Sequence, residues 1–156
     1  MKFAFTDEQR MLRDTSQAFL ADTSSSRAVR MACASDRGFD DALWRRVCDD
    51  MYWQGILVPE ENDGLGLGWV EMVIVLEAAG ERLLTSPLFA VAQSAAALTQ
   101  CPKTACRDAL FGSILAGDIV ALALSNPSSD WHCVDARVDT SEGVTHLSGE
   151  AGFVSC

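Results

Sequence analysis

A chain of 156 residues, 49% of them hydrophobic, can bury a sizeable core and form one domain, or one and a part. A formal net charge of −10 and a pI near 4.5 set the surface against phosphate backbones and anionic lipid. Nucleic-acid binding and membrane docking are therefore excluded as functions.

The first residues carry Asp7, Glu8, Arg10, Arg13 and Asp14 instead of an apolar leader, and no apolar run is long enough to span a bilayer. The chain reads as cytoplasmic. Its six cysteines are scattered, with no Cys-x-x-Cys pair, so no disulfide framework is expected. His132-Cys133 with distant His146 is too sparse a ligand set for a metal site.

In chain order, Thr6-Asp7-Glu8-Gln9 has the form of a capping box, and Met11, Leu12, Thr15, Phe19 and Leu20 follow at helical spacing. That helix fades into Thr23-Ser24-Ser25-Ser26, and a short second helix covers Arg27–Met31. Phe39, Leu43, Trp44, Val47, Cys48 and Met51 form the apolar face of a third helix. Next comes the most shaped segment of the chain, residues 55–68, in which an apolar run meets an acidic loop with glycine at 64, 66 and 68. Glycines at alternate positions allow sharp turns, so this is a fixed connector between packed helices.

Val70–Leu84 reads as an almost wholly apolar helix, expected to be buried nearly all round, with Glu71, Glu77 and Glu81 at its polar positions. Ser86-Pro87 opens a helix to about Leu98, and Pro102 starts another that ends near Leu115 before the stop at Gly117. Trp44, Val47, Val73, Ile74 and Leu76 are the predicted core. After Gly117 the period changes, and Ile119–Ser125, His132–Asp139, Val144–Leu147 and Phe153–Ser155 read as short strands. The expected fold class is α+β: an all-α domain over 1–117, then an incomplete antiparallel β segment over 118–156.

The segment Val58-Pro59-Glu60-Glu61-Asn62-Asp63-Gly64-Leu65-Gly66-Leu67-Gly68 closely resembles the loop between two N-terminal helices of the acyl-CoA dehydrogenases. Asp63 stands where the first of two paired glycines is common. Phe5–Gln9, Gly38-Phe39-Asp40, Leu43-Trp44, Val75–Gly80 and Leu83–Leu88 are similar to flanking parts of the same domain. Family members have a helical N-terminal domain, a β-barrel middle domain and a helical C-terminal bundle; the resemblance here covers only the first part of that order.

The resemblance implies an FAD-dependent oxidoreductase of fatty-acid type metabolism that converts acyl-CoA to trans-2-enoyl-CoA. It also implies flavin contacts from Leu122, Leu124 and Ser125 on one strand and from Phe153 and Ser155 on another. The chain departs from the family pattern at Asn126, Ala151 and Phe153, where Glu, Lys and Trp are usual. The usual base is a Glu of the C-terminal bundle, to which nothing here corresponds, so no catalytic residue is assigned. The first reading is the N-terminal portion of such an enzyme, expected to be inactive and colourless alone, its β segment completed by another copy or a second polypeptide. The alternatives are a non-catalytic partner subunit and a small helical module holding an apolar ligand.

Overall fold

A computed structural model of the chain describes residues 4–124, 136–141, 143–152 and 154. Helix α1, Asp7–Thr23, begins with the expected capping box: Thr6 Oγ1 accepts from the Gln9 amide at 3.2 Å, and Gln9 Oε1 accepts from the Thr6 amide at 3.0 Å. Helix α4, Trp69–Glu81, lies beside α1 and points the same way. At the start of the pair, Gln9 Nε2 donates to Glu71 Oε1 at 2.8 Å, while Glu71 Oε2 accepts from the Gly68 amide at 3.0 Å. At the far end, Ser24 Oγ donates to the Arg82 carbonyl at 3.1 Å. One amide and one carboxylate thus cap two helices and fasten them together, satisfying amide donors that a helix start leaves open.

Helices α2, Ser26–Cys33, and α3, Asp41–Asp49, are capped by the side chains of Ser25 and Asp40. Helix α5 runs Leu88–Thr99 and α6 runs Ala105–Leu115. The expected start of α6 at Pro102 is corrected: Thr104 Oγ1 accepts from the Arg107 amide at 3.2 Å, so the hydroxyl sets the first turn and Pro102 stays outside. Between α3 and α4 the chain makes two 3-10 turns, Trp53–Gly55 and Glu60–Asn62.

The core gathers around Trp53, with Leu20, Val47, Ile56, Met72, Val75, Leu88, Val91, Phe111 and Ile114. Phe19 meets Trp53 edge to face at 5.5 Å. Trp44 Nε1 donates to the carbonyl of Gly117 at 2.9 Å, fixing the end of the helical layer to α3.

Of the predicted core, Trp44, Val47 and Ile74 are buried and Leu76 is half-buried. Val73 is not: it is 54% exposed, as are Trp69 at 48% and Val70 at 53%. Helix α4 is therefore not buried all round. Met72, Ile74, Val75, Ala78 and Ala79 occupy its inner faces, and positions 69, 70, 73 and 77 face outward, with Gly80 and Glu81 exposed at its end.

Beyond α6, residues 119–124 form no strand, which corrects the expectation for Ile119–Ser125 over those residues. A strand needs a hydrogen-bonded neighbour, and none pairs with them among the described residues. Strands β1, Ala136–Ser141, and β2, Val144–Gly149, pair antiparallel with Val138 opposite Leu147 and Asp139 opposite His146. Gly143, at φ 79°, supplies the left-handed turn residue. Every residue of both strands is exposed. The architecture is α+β, with a helical layer followed by a two-stranded antiparallel sheet.

Candidate functional site

The glycine loop folds back on the segment before it. Leu65 and Leu67 donate their amides to the carbonyls of Gly55 and Ile56 at 2.9 Å each, and Gly66 donates to Val58 at 2.8 Å. The approach is too close for a side chain at position 64, where an added Cβ would lie 2.1 Å from the Val58 carbonyl oxygen. Gly66 has φ 59°. Asp63 also takes the left-handed conformation, at φ 64°, so it holds a backbone shape that glycine adopts more readily.

The acidic stretch of this loop is spent on fastening. Lys103 Nζ lies 2.7 Å from Glu61 Oε2, Arg107 Nη2 3.7 Å from Glu61 Oε1, and Asn62 Nδ2 donates to Asp108 Oδ1 at 3.1 Å. Arg107 is itself buried, bonded to Asp108 at 2.9 Å and set over the Phe111 ring at 5.6 Å. The hydrogen bond and charge of Lys103 hold the Glu61 carboxyl below its usual range. The Gln9 amide does the same for Glu71, and Arg107 and Asn62 for Asp108. A carboxylate acting as base near neutral pH is tuned upward instead. Glu61 and Glu71 therefore act as fasteners.

Leu122 is half-buried and Leu124 is exposed; Ser125, Phe153 and Ser155 lie outside the described residues. Ala123 and the stretch Leu147–Ala151 share, with Ala136, a cavity of about 360 Å³. Two stretches more than twenty residues apart thus meet at one apolar recess, a contact that strand alternation in the sequence does not signal. The recess suits the flat face of an aromatic ring system, since Ala123, Ala136, Leu147, Gly149 and Ala151 offer no bulky or charged obstruction. Among the described residues its one ionisable lining residue is Glu150, and none of them offers a cation to a pyrophosphate. Among the described residues, no group of three or more His, Cys, Asp or Glu is placed to hold a metal ion, and no helix is long and apolar enough to cross a membrane.

The helical layer, the folded-back glycine loop and the hairpin after α6 define the class. Residues 6–118 match the family described as Acyl-CoA dehydrogenase, N-terminal domain, and the chain belongs to that family. It is 36% identical over 97 residues to acyl-CoA dehydrogenase IpdE2 of Mycobacterium tuberculosis (strain ATCC 25618 / H37Rv), a match covering 62% of this chain and 30% of that protein. To acyl-CoA dehydrogenase IpdE2 of Mycolicibacterium smegmatis (strain ATCC 700084 / mc(2)155) it is 32% identical over 99 residues, covering 64% and 32%. The matches span about a third of the length of these curated relatives.

The same fold occurs in the ChsE4-ChsE5 complex from Mycobacterium tuberculosis, with a TM-score of 0.79 at 24% identity over 96% of this chain and 40% of that one. It also occurs in the Tcur3481-Tcur3483 steroid ACAD G363A variant, again with a TM-score of 0.79, at 22% identity over 95% and 41%. The family is one of oxidoreductases, and the chain corresponds to the N-terminal part of its members.

Proposed function

We propose that this chain supplies the helical N-terminal domain, and one wall of a flavin site, to an acyl-CoA dehydrogenase assembly, with a domain boundary at residue 117. By itself it neither retains FAD nor oxidises acyl-CoA. The observation that carries this reading is the hairpin at the recess, whose two strands are exposed along their whole length. An open recess edged by exposed strands does not bury a cofactor, because binding needs convergent contacts on several sides.

An FAD held in an assembled enzyme would supply the acceptor for the hydride of the acyl β-carbon. The part of this chain is passive: Ala123, Ala136 and Leu147 offer an apolar face to the ring and limit the access of water. The Leu122–Ser125 and Phe153–Ser155 stretches inherit their flavin-facing role from the family resemblance. The remaining walls, the cation for the pyrophosphate and the base come from parts of the assembly other than these residues.

Purified chain is expected to be colourless and to reduce no dye with acyl-CoAs of any length. Stoichiometric bound flavin together with turnover would overturn the proposal. A non-catalytic partner subunit is the second reading, favoured by the outward apolar stripe Trp69, Val70 and Val73. It requires a co-purifying chain whose flavin content rises on assembly. Tight binding of an apolar ligand without any flavin would instead point to a small helical module.

A further inference from the structure

Helix α2 is held unlike its neighbours. Its inward residues are small, Ala28, Val29 and Ala32, and of its eight residues only Ala32 is buried. Clefts of about 270, 650 and 310 Å³ open around it, against Leu43 and Thr85, against Phe39 and Asp41, and against Arg82 and Leu83. No side chain of α2 makes a hydrogen bond or ion pair with another helix among the described residues. Before it, Ser24 Oγ donates to the Arg82 carbonyl at 3.1 Å; after it, Ser35 Oγ donates at 2.7 Å to the carbonyl of Ala32, a bond that only closes the end of α2 itself. Gly38, at φ 74°, turns the chain just beyond.

Local opening costs least where few apolar contacts and no cross-links must be broken. We propose that α2 is a strap that unfastens as one unit while the rest of the helical layer stays folded, pivoting at Ser24–Ser25 and at Ser35–Gly38 and uncovering Phe39 and Leu43. The Gln9–Glu71 fastening and the Trp53 core lie away from the strap and are untouched by its opening. The strap gives the domain an intermittently apolar face on a side distinct from the α4 stripe.

Hydrogen exchange on the whole chain, read by mass spectrometry or NMR, tests this. Amides from Val29 to Ala34 are expected to exchange at one common rate, at least about a hundredfold faster than those of Met72–Ala79. Equal protection in the two helices would overturn the proposal. So would a graded rate falling from the ends of α2 inward, which is fraying and not unit opening. Ala32→Leu, which fills the smallest cleft, should slow exchange in α2 and leave α4 unchanged. An α2 rate that does not respond, in a variant whose α4 protection shows it to be folded, would also overturn it.

Discussion

At the scale of single residues, positions 63 and 64 show opposite demands side by side. Gly64 is required by proximity, because any Cβ there strikes the Val58 carbonyl. Asp63 sits in a glycine-like conformation with a side chain that takes no hydrogen bond among the described residues. Gly64→Ala is therefore expected to destabilise the domain by about 1–3 kcal/mol, the usual cost of forcing atoms into filled space. Asp63→Gly should stabilise it by up to about 1 kcal/mol by relieving the left-handed penalty. Chemical denaturation of the two variants checks both signs, and equal shifts in the same direction would contradict the loop geometry.

The shape of this loop was legible in the sequence, since alternating glycines announce tight backbone. Which glycine answers to contact and which to dihedral angle was not, because that depends on residues 55–58 lying alongside. Val73 misled for a related reason. In a helix where nearly every residue is apolar, the pattern carries no information about which face turns inward.

At the scale of elements, the α1–α4 pair depends on one ionised side chain. Glu71 accepts from Gln9 and from the Gly68 amide, and both contacts favour the charged form, led by the bond from Gln9. Its folded pKa lies below the ordinary 4.5, so its contribution is present above about pH 4.5 and is lost as the pH falls through the folded value. Glu71→Gln should lower stability at neutral pH by about 1 kcal/mol, in the range of a single hydrogen bond to a charged group. Thermal unfolding as a function of pH should show a smaller loss below pH 4.5 in the variant than in the parent. A parallel offset at all pH values would mean that Glu71 is not the titrating fastener. The Thr6 cap was legible because its partner stands three residues away; the Gln9–Glu71 bond was not, because its partner is brought there by the fold. The strand expected at Ile119 fails on the same distinction, since its residues suit a strand and no neighbour pairs with them among the described residues.

At the scale of the whole molecule, apolar side chains gather at the surface on the outer stripe of α4 and on the hairpin face carrying Val138 and Leu147, among other exposed apolar residues. Exposed apolar patches of this kind mark interaction sites. Ile74 and Val73 are neighbours in sequence with opposite expected behaviour. Ile74→Ala should cost about 2–5 kcal/mol by opening a cavity in the core. Val73→Asp should leave the isolated chain within about 0.5 kcal/mol of the parent and weaken its assembly with the protein that completes the site. Calorimetry on the isolated variants and co-purification from a co-expressing strain read the two effects separately.

The side-by-side packing of α1 and α4 also bears on the order in which the chain can acquire structure. Gln9 finds its partner 62 residues later, so the α1–α4 seam closes only once α4 has been made, although Phe19 meets Trp53 from an earlier part of the chain. Two fastenings of α1, at Gln9 and at Ser24, form only after α3 and the glycine loop exist. The interval of translation between Gln9 and Glu71 is therefore one in which the nascent chain carries an α1 face that α4 does not yet cover.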